Sequence, residues 1–303
     1  MRKQFTEAFL KYHNKYPETM FMTGDLGYNA LEPIRESLGE RFINAGVAEQ
    51  NMVSVAAGLA YTGTVPWLYS IAPFLILKTV EQIRNDVAIR GMNVKLVGNG
   101  GGFGYGIMGT THHVLEDIAI MVNMPNMCTY VPAFNEDVDP IVERMFMDQT
   151  PSYLRLGMAK QPNLNLPTYS AIREVHSSTE PEVVCVVLGP LVHQIIPLID
   201  SVKGLTIWVV TELPSTIPDR LITQMTKSKH ILILEECSQY GGIGQSISSA
   251  ILSNAGVKSP LTTHLYAQHN NQHTYGSQQY HLKDNGLDTE SVRKLITHFQ
   301  DTV

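Results

Sequence analysis

From residue 20 onward, short apolar or β-branched runs alternate with segments of helical spacing. Runs at 20–26, 41–46, 65–71, 93–100, 127–133 and 152–157 predict strands, and the segments 30–38, 49–62, 74–89, 112–123 and 135–148 predict helices. Near-continuous apolar strands separated by helices imply a mostly parallel sheet covered on both faces. The stretch 158–181, MAKQPNLNLPTYSAIREVHSSTEP, is polar, bears proline and has no apolar period, so it predicts a linker. The alternation then restarts, with strands at 183–191, 205–213, 230–236 and 261–267 and helices near 191–202, 216–227, 243–254 and 289–299. The expected fold is therefore α/β with two domains, each a mostly parallel sheet flanked by helices: 1–165, a linker at 166–179, and 180–303.

Composition adds exclusions more than direction. A chain of 303 residues suits roughly two domains. A net charge of −6 and the lack of any basic tract give no reason to expect nucleic acid. The N-terminus has acidic residues and no continuous apolar core, which argues against a signal peptide. No apolar run reaches membrane-spanning length, so no membrane role and a cytoplasmic location are expected. Cys128, Cys185 and Cys237 lie far apart, in neither a zinc-ligand nor a disulfide pattern.

In such sheets ligands bind beyond the carboxyl ends of the strands. Three polar or glycine-rich segments fall there: Thr23 to Gly27, Asn44 to Asn51, and Gly98 to His113. The third contains Gly104-Tyr-Gly-Ile-Met-Gly109, formally a dinucleotide fingerprint, but its strand is about the fourth and no acidic residue follows at the needed distance. So many glycines suggest backbone passing close to a ligand or another chain. Thr111-His112-His113 follows at the same mouth, where imidazoles can relay protons. The second segment, GVAEQNMVSVAAGLA, reads as a helix buried on every side whose first turn carries Glu49. A first-turn carboxylate often only caps the helix; one entering a closed interior needs a partner.

GVAEQNMVSVAAGLA, with TGDLG before it, THHVLEDIAIM after it and LEECSQYGGIGQSISSAI near the end, resembles the C-terminal half of transketolase, and most closely split transketolases in which that half is a separate chain. The resemblance implies a pyrimidine-binding domain followed by a transketolase C-terminal domain, and thiamine diphosphate as cofactor. It places Glu49 on N1′ of the cofactor's aminopyrimidine, where proton sharing activates the cofactor for nucleophilic chemistry. It places an aromatic ring on the pyrimidine, for which Phe74 fits best, and brings Asp25 and Leu26 near the thiazolium. His112 and His113 become catalytic candidates. Diphosphate and Mg²⁺ are held in this family by a motif on the other half. The resemblance thus implies an N-terminal-type partner subunit and an α2β2 assembly, and no metal ligands are expected in this chain. Gly100, Met108 and Met158 stand where sugar-phosphate transketolases carry a histidine, an aspartate and an arginine. Substrate recognition is expected to have changed, with His112, Arg155 and the Met108 position as candidate substrate contacts. The alternative on the same two-domain plan is the β subunit of a 2-oxo-acid dehydrogenase or decarboxylase.

Overall fold

The computed structural model describes residues 1–27, 29–159, 162, 164–254, 260–269 and 274–301. Strands β1 (Thr19–Thr23), β2 (Phe42–Asn44), β3 (Val65–Ile71), β4 (Lys95–Asn99), β5 (Cys128–Tyr130) and β6 (Ser152–Leu156) pair in parallel, as their apolar runs predict. Strands β7 (Ile172–His176), β8 (Val183–Leu188), β9 (Leu205–Val210), β10 (Glu212–Leu213), β11 (His230–Glu235) and β12 (Leu261–Tyr266) follow. The first sheet has the order β10-β5-β6-β4-β3-β1-β2 and the second β12-β11-β8-β9-β7. Among the described strands, only β10 against β5 and β7 against β9 run antiparallel.

Helices α1 (Arg2–Tyr12), α2 (Glu32–Leu38), α3 (Glu49–Tyr61), α4 (Ala72–Ile76), α5 (Val80–Gln82), α6 (Asp117–Val122) and α7 (Val138–Met147) cover the first sheet. Helices α8 (Asp219–Lys227), α9 (Ile243–Asn254), α10 (Gln278–Asp284) and α11 (Thr289–Asp301) accompany the second. Among the described residues, no helix is long and apolar enough to cross a membrane.

Four features depart from the sequence reading. The stretch expected to be a linker carries β7, an edge strand held by backbone bonds to β9, which an apolar-period criterion cannot see. Strand β10 leaves the second domain's sequence and caps the edge of the first sheet. The segment expected as one helix over 74–89 is broken: after α4 come a 3-10 turn at Leu77–Thr79, then α5, then a π-helical stretch at Ile83–Ala88. Finally, α3 is not buried on every side. Glu49, Met52, Val53, Ala56 and Ala57 face the core, while Val55 and Tyr61 stand 41% and 78% exposed.

One buried cation gives the first sheet a pH signature. Lys95, at the start of β4, is fully buried and donates to the carbonyls of Asp148 and Thr150 at 2.8 and 2.7 Å. Burial pushes its pKa down to about 7 although Asp148 and Cys128 pull the other way. Below pH 7 the folded state carries the full cost of an interior ammonium, and above the unfolded value near 10.5 it carries none. Stability contributed at this position therefore rises with pH between those limits, by about 3–5 kcal/mol in total. Urea unfolding of wild type and Lys95→Met should show a free-energy difference that shifts towards wild type as pH goes from about 7 to about 10. A difference that stays flat contradicts the assignment.

Candidate active site

Three strands of the first sheet end at one mouth. Strand β1 delivers Gly24, β3 delivers Ser70, and the turn after β2 starts α3 with Glu49. Ala48 at the N-cap makes no side-chain cap bond. Glu49 turns inward instead, 1% exposed, with Ser70 Oγ donating to Oε1 at 3.5 Å and Lys78 Nζ donating to Oε2 at 2.6 Å. The carboxylate can sit so deep because Gly24 has no side chain: a Cβ there would lie 3.3 Å from Ser70 Oγ and 3.5 Å from Glu49. A buried carboxylate needs such a partner, and nothing in the sequence pattern points to Lys78.

Phe74 lies on α4, and its ring meets His112 at 5.2 Å between centroids, in an edge-on arrangement. Lys78 Nζ stands 5.7 Å from the same ring's centroid. Glu49, Ser70, Phe74, Lys78 and His112 thus form one linked group. His112 closes a 3-10 turn and hydrogen-bonds through Nδ1 to Thr111 Oγ1 at 3.0 Å. The helix expected from 112 begins only at Asp117.

Asp25 and Leu26 line a neighbouring cleft with Thr23 and Asn44. Asp25 adopts a positive φ of 58° and its carboxylate accepts from Asn44 Nδ2 at 2.9 Å. Asn44 Oδ1 in turn accepts from the backbone N–H groups of Asp25 and Gly46. This interlock joins the loop after β1 to the approach to α3. Met108 is half exposed on the glycine-rich loop.

Two expected site residues face elsewhere. His113 is 3% exposed and packs against the rings of Phe103 and His281 at 5.1 and 4.7 Å. Burial pushes its pKa down, which keeps the imidazole neutral at pH 7. Arg155, expected to be free for substrate, is 5% exposed, pairs with Asp117 at 3.3 Å, and donates to the Glu236 carbonyl at 2.8 Å. A guanidinium committed to a buried carboxylate is not available to a ligand. The glycine-rich loop also differs from expectation. Its close approach is to this chain's own side chains, since a Cβ on Gly101 would fall 2.0 Å from Arg155 Nε.

The histidines of the C-terminal tail mostly have assigned places. His264 bonds Glu235 at 2.6 Å and His269 bonds Glu116 at 2.8 Å. His281 is buried, and His273 lies outside the described residues.

Residues 1–161 match the family described as "Transketolase, pyrimidine binding domain". The chain belongs to this family. It is 27% identical over 273 residues to an apulose-4-phosphate transketolase subunit of Actinobacillus succinogenes, covering 88% of this chain and 86% of that one. It is 32% identical over 157 residues to the 6-deoxy-6-sulfo-D-fructose transketolase subunit SqwH of Clostridium sp. (strain MSTE9), covering 52% of this chain and 49% of that one. The solved structure described as "Split gene transketolase, inactive beta4 tetramer" superposes with a TM-score of 0.83 at 23% identity, over 98% of this chain and 97% of that one. The family's cofactor, thiamine diphosphate, fits the residues present. Its aminopyrimidine needs a buried hydrogen-bonding carboxylate beside an aromatic face, and Glu49 with Phe74 provides both.

Proposed function

We propose that this chain is the C-terminal-type subunit of a split, thiamine diphosphate-dependent transketolase that moves a two-carbon ketol unit. The observation that carries the reading is Glu49, a 1% exposed carboxylate at the ligand-binding mouth with Ser70 behind it. When bound, thiamine diphosphate supplies the nucleophilic carbon that carries the transferred unit. Glu49 would share a proton with the cofactor's ring nitrogen through its Oε atoms. Phe74 would orient that ring, with Asp25 and Leu26 in the neighbouring cleft. His112, beside Phe74, is placed to donate to or take protons from the substrate's oxygens.

An N-terminal-type partner completes the site, holds the diphosphate and Mg²⁺, and assembles with this chain as α2β2. Two observations support this. Relatives of this chain are named as subunits of transketolases, and large apolar residues stand exposed before and along α3, Val47 at 76%, Val55 at 41% and Tyr61 at 78%. Exposed apolar side chains along one helix suit a surface that another chain covers. Substrate choice departs from the usual sugar phosphates, because the positions expected to read them hold Gly100, Met108 and Met158, and Arg155 is committed to Asp117.

Co-expression with an N-terminal-type subunit tests the proposal. The two chains should co-elute and show thiamine-dependent ketol transfer from a panel of ketose donors, with poor turnover of xylulose 5-phosphate and ribose 5-phosphate. Efficient turnover of that pair overturns the substrate assignment; no thiamine-dependent transfer overturns the function.

A further inference from the structure

The two features that suit the cofactor's ring, the Glu49 carboxylate and the Phe74 face, are both engaged by one side chain of this same subunit. Lys78 Nζ bonds Glu49 Oε2 at 2.6 Å and stands 5.7 Å from the Phe74 ring centroid. Lys78 follows Phe74 by four residues and lies on the same side of the chain, its ammonium reaching the Phe74 ring. The 3-10 turn at Leu77–Thr79 interrupts that run at Lys78 itself. Glu49 is 1% exposed but the Lys78 side chain is 46% exposed, so the pair has one fixed member and one that reaches in from solvent.

That asymmetry matters physically. A carboxylate left alone at Glu49's depth would be strongly disfavoured, and the ammonium relieves this at close range. Lys78 is a flexible four-carbon stem with a compact charge, so it can withdraw into water with its hydration largely restored. An aromatic ring entering to stack on Phe74 and bond Glu49 meets the ammonium on both surfaces. Only one of the two can hold them.

We propose that Lys78 is the resident counter-ion of Glu49 in the cofactor-free subunit, occupying the pyrimidine slot as a latch that must withdraw before the cofactor seats. The ion pair stands on geometry alone; the withdrawal rests on the function proposed above. Lys78 acts as a positioning residue. It keeps the slot ordered and the carboxylate neutralised before assembly, and its removal should ease cofactor entry.

A double-mutant cycle on the isolated full-length chain tests the pair without any cofactor. Lys78→Met should lower the melting temperature by about 2–4 °C, Lys78→Arg should retain it, and Glu49→Gln/Lys78→Met should recover most of the loss. Additive shifts, or none for Lys78→Met, overturn the inference whatever the cofactor does. On the complex with its partner, titration with thiamine diphosphate and Mg²⁺ followed by tryptophan fluorescence reads the withdrawal. Lys78→Met should tighten Kd by about three- to tenfold, the worth of a half-exposed pair, with a smaller salt effect than wild type. An unchanged or weaker Kd means that Lys78 stays in place and overturns the latch. A wild-type complex that binds no cofactor overturns the latch and the proposed function together, while a positive melting cycle would still leave the ion pair standing.

Discussion

Glu49→Gln in the reconstituted enzyme is expected to lower kcat by about 10²- to 10⁴-fold, with the complex still assembled. Gln keeps the shape and can still accept a hydrogen bond, yet it cannot take up and return a proton. Its fold should survive, because the group left without its partner is Lys78, which is half exposed and can turn to water. Steady-state kinetics and the exchange rate of the cofactor's C2 proton, followed by NMR, should fall together if Glu49 acts as proposed on that step and not on substrate binding. Near-wild-type turnover would remove Glu49 from the chemistry and leave it a buried structural acid.

Arg155→Met carries the largest expected loss of stability. Asp117 is fully buried, accepts from Tyr153 Oη at 2.7 Å, and has Arg155 as its cation. Burial already pushes the Asp117 carboxyl upward against the pull of Arg155. Removing the guanidinium leaves an interior charge without compensation, a loss of about 3–5 kcal/mol. Arg155→Met/Asp117→Asn should regain much of it, since neither partner then carries charge. Urea midpoints of the free chain read the effect. If Arg155→Met unfolds normally but raises KM for an anionic substrate, the arginine belongs to the substrate pocket after all.

The strand alternation and the Glu49 segment are legible because each is a local signal. Val65–Ile71 and Ser152–Leu156 read as strands because parallel strands buried on both faces show near-continuous apolar runs. The parts that are not legible depend on neighbours distant in sequence. Strand β7 mixes Ile172 and Val175 with Arg173, Glu174 and His176, and β9 offers it a ladder. Lys78 looks like a surface residue interrupting FLILKTV; only the approach of α3 makes it the partner of Glu49. Arg155 reads as a free arginine in YLRLG until Asp117, 38 positions earlier, is brought beneath it. The expected burial of α3 on all sides rests on its small and apolar residues, and such residues also suit a face that meets another chain.

Strand β10 has a consequence for how this chain can be cut and recombined. Glu212 and Leu213 come from beyond β9, yet they zip onto Tyr130 and Thr129 and finish the first sheet. Severing the polypeptide anywhere between 166 and 211 would strip that border strand and bare the rim of β5. Gene fusions or swaps that treat the two halves as interchangeable beads would therefore inherit a frayed sheet, and the halves are expected to travel through evolution as one indivisible cassette.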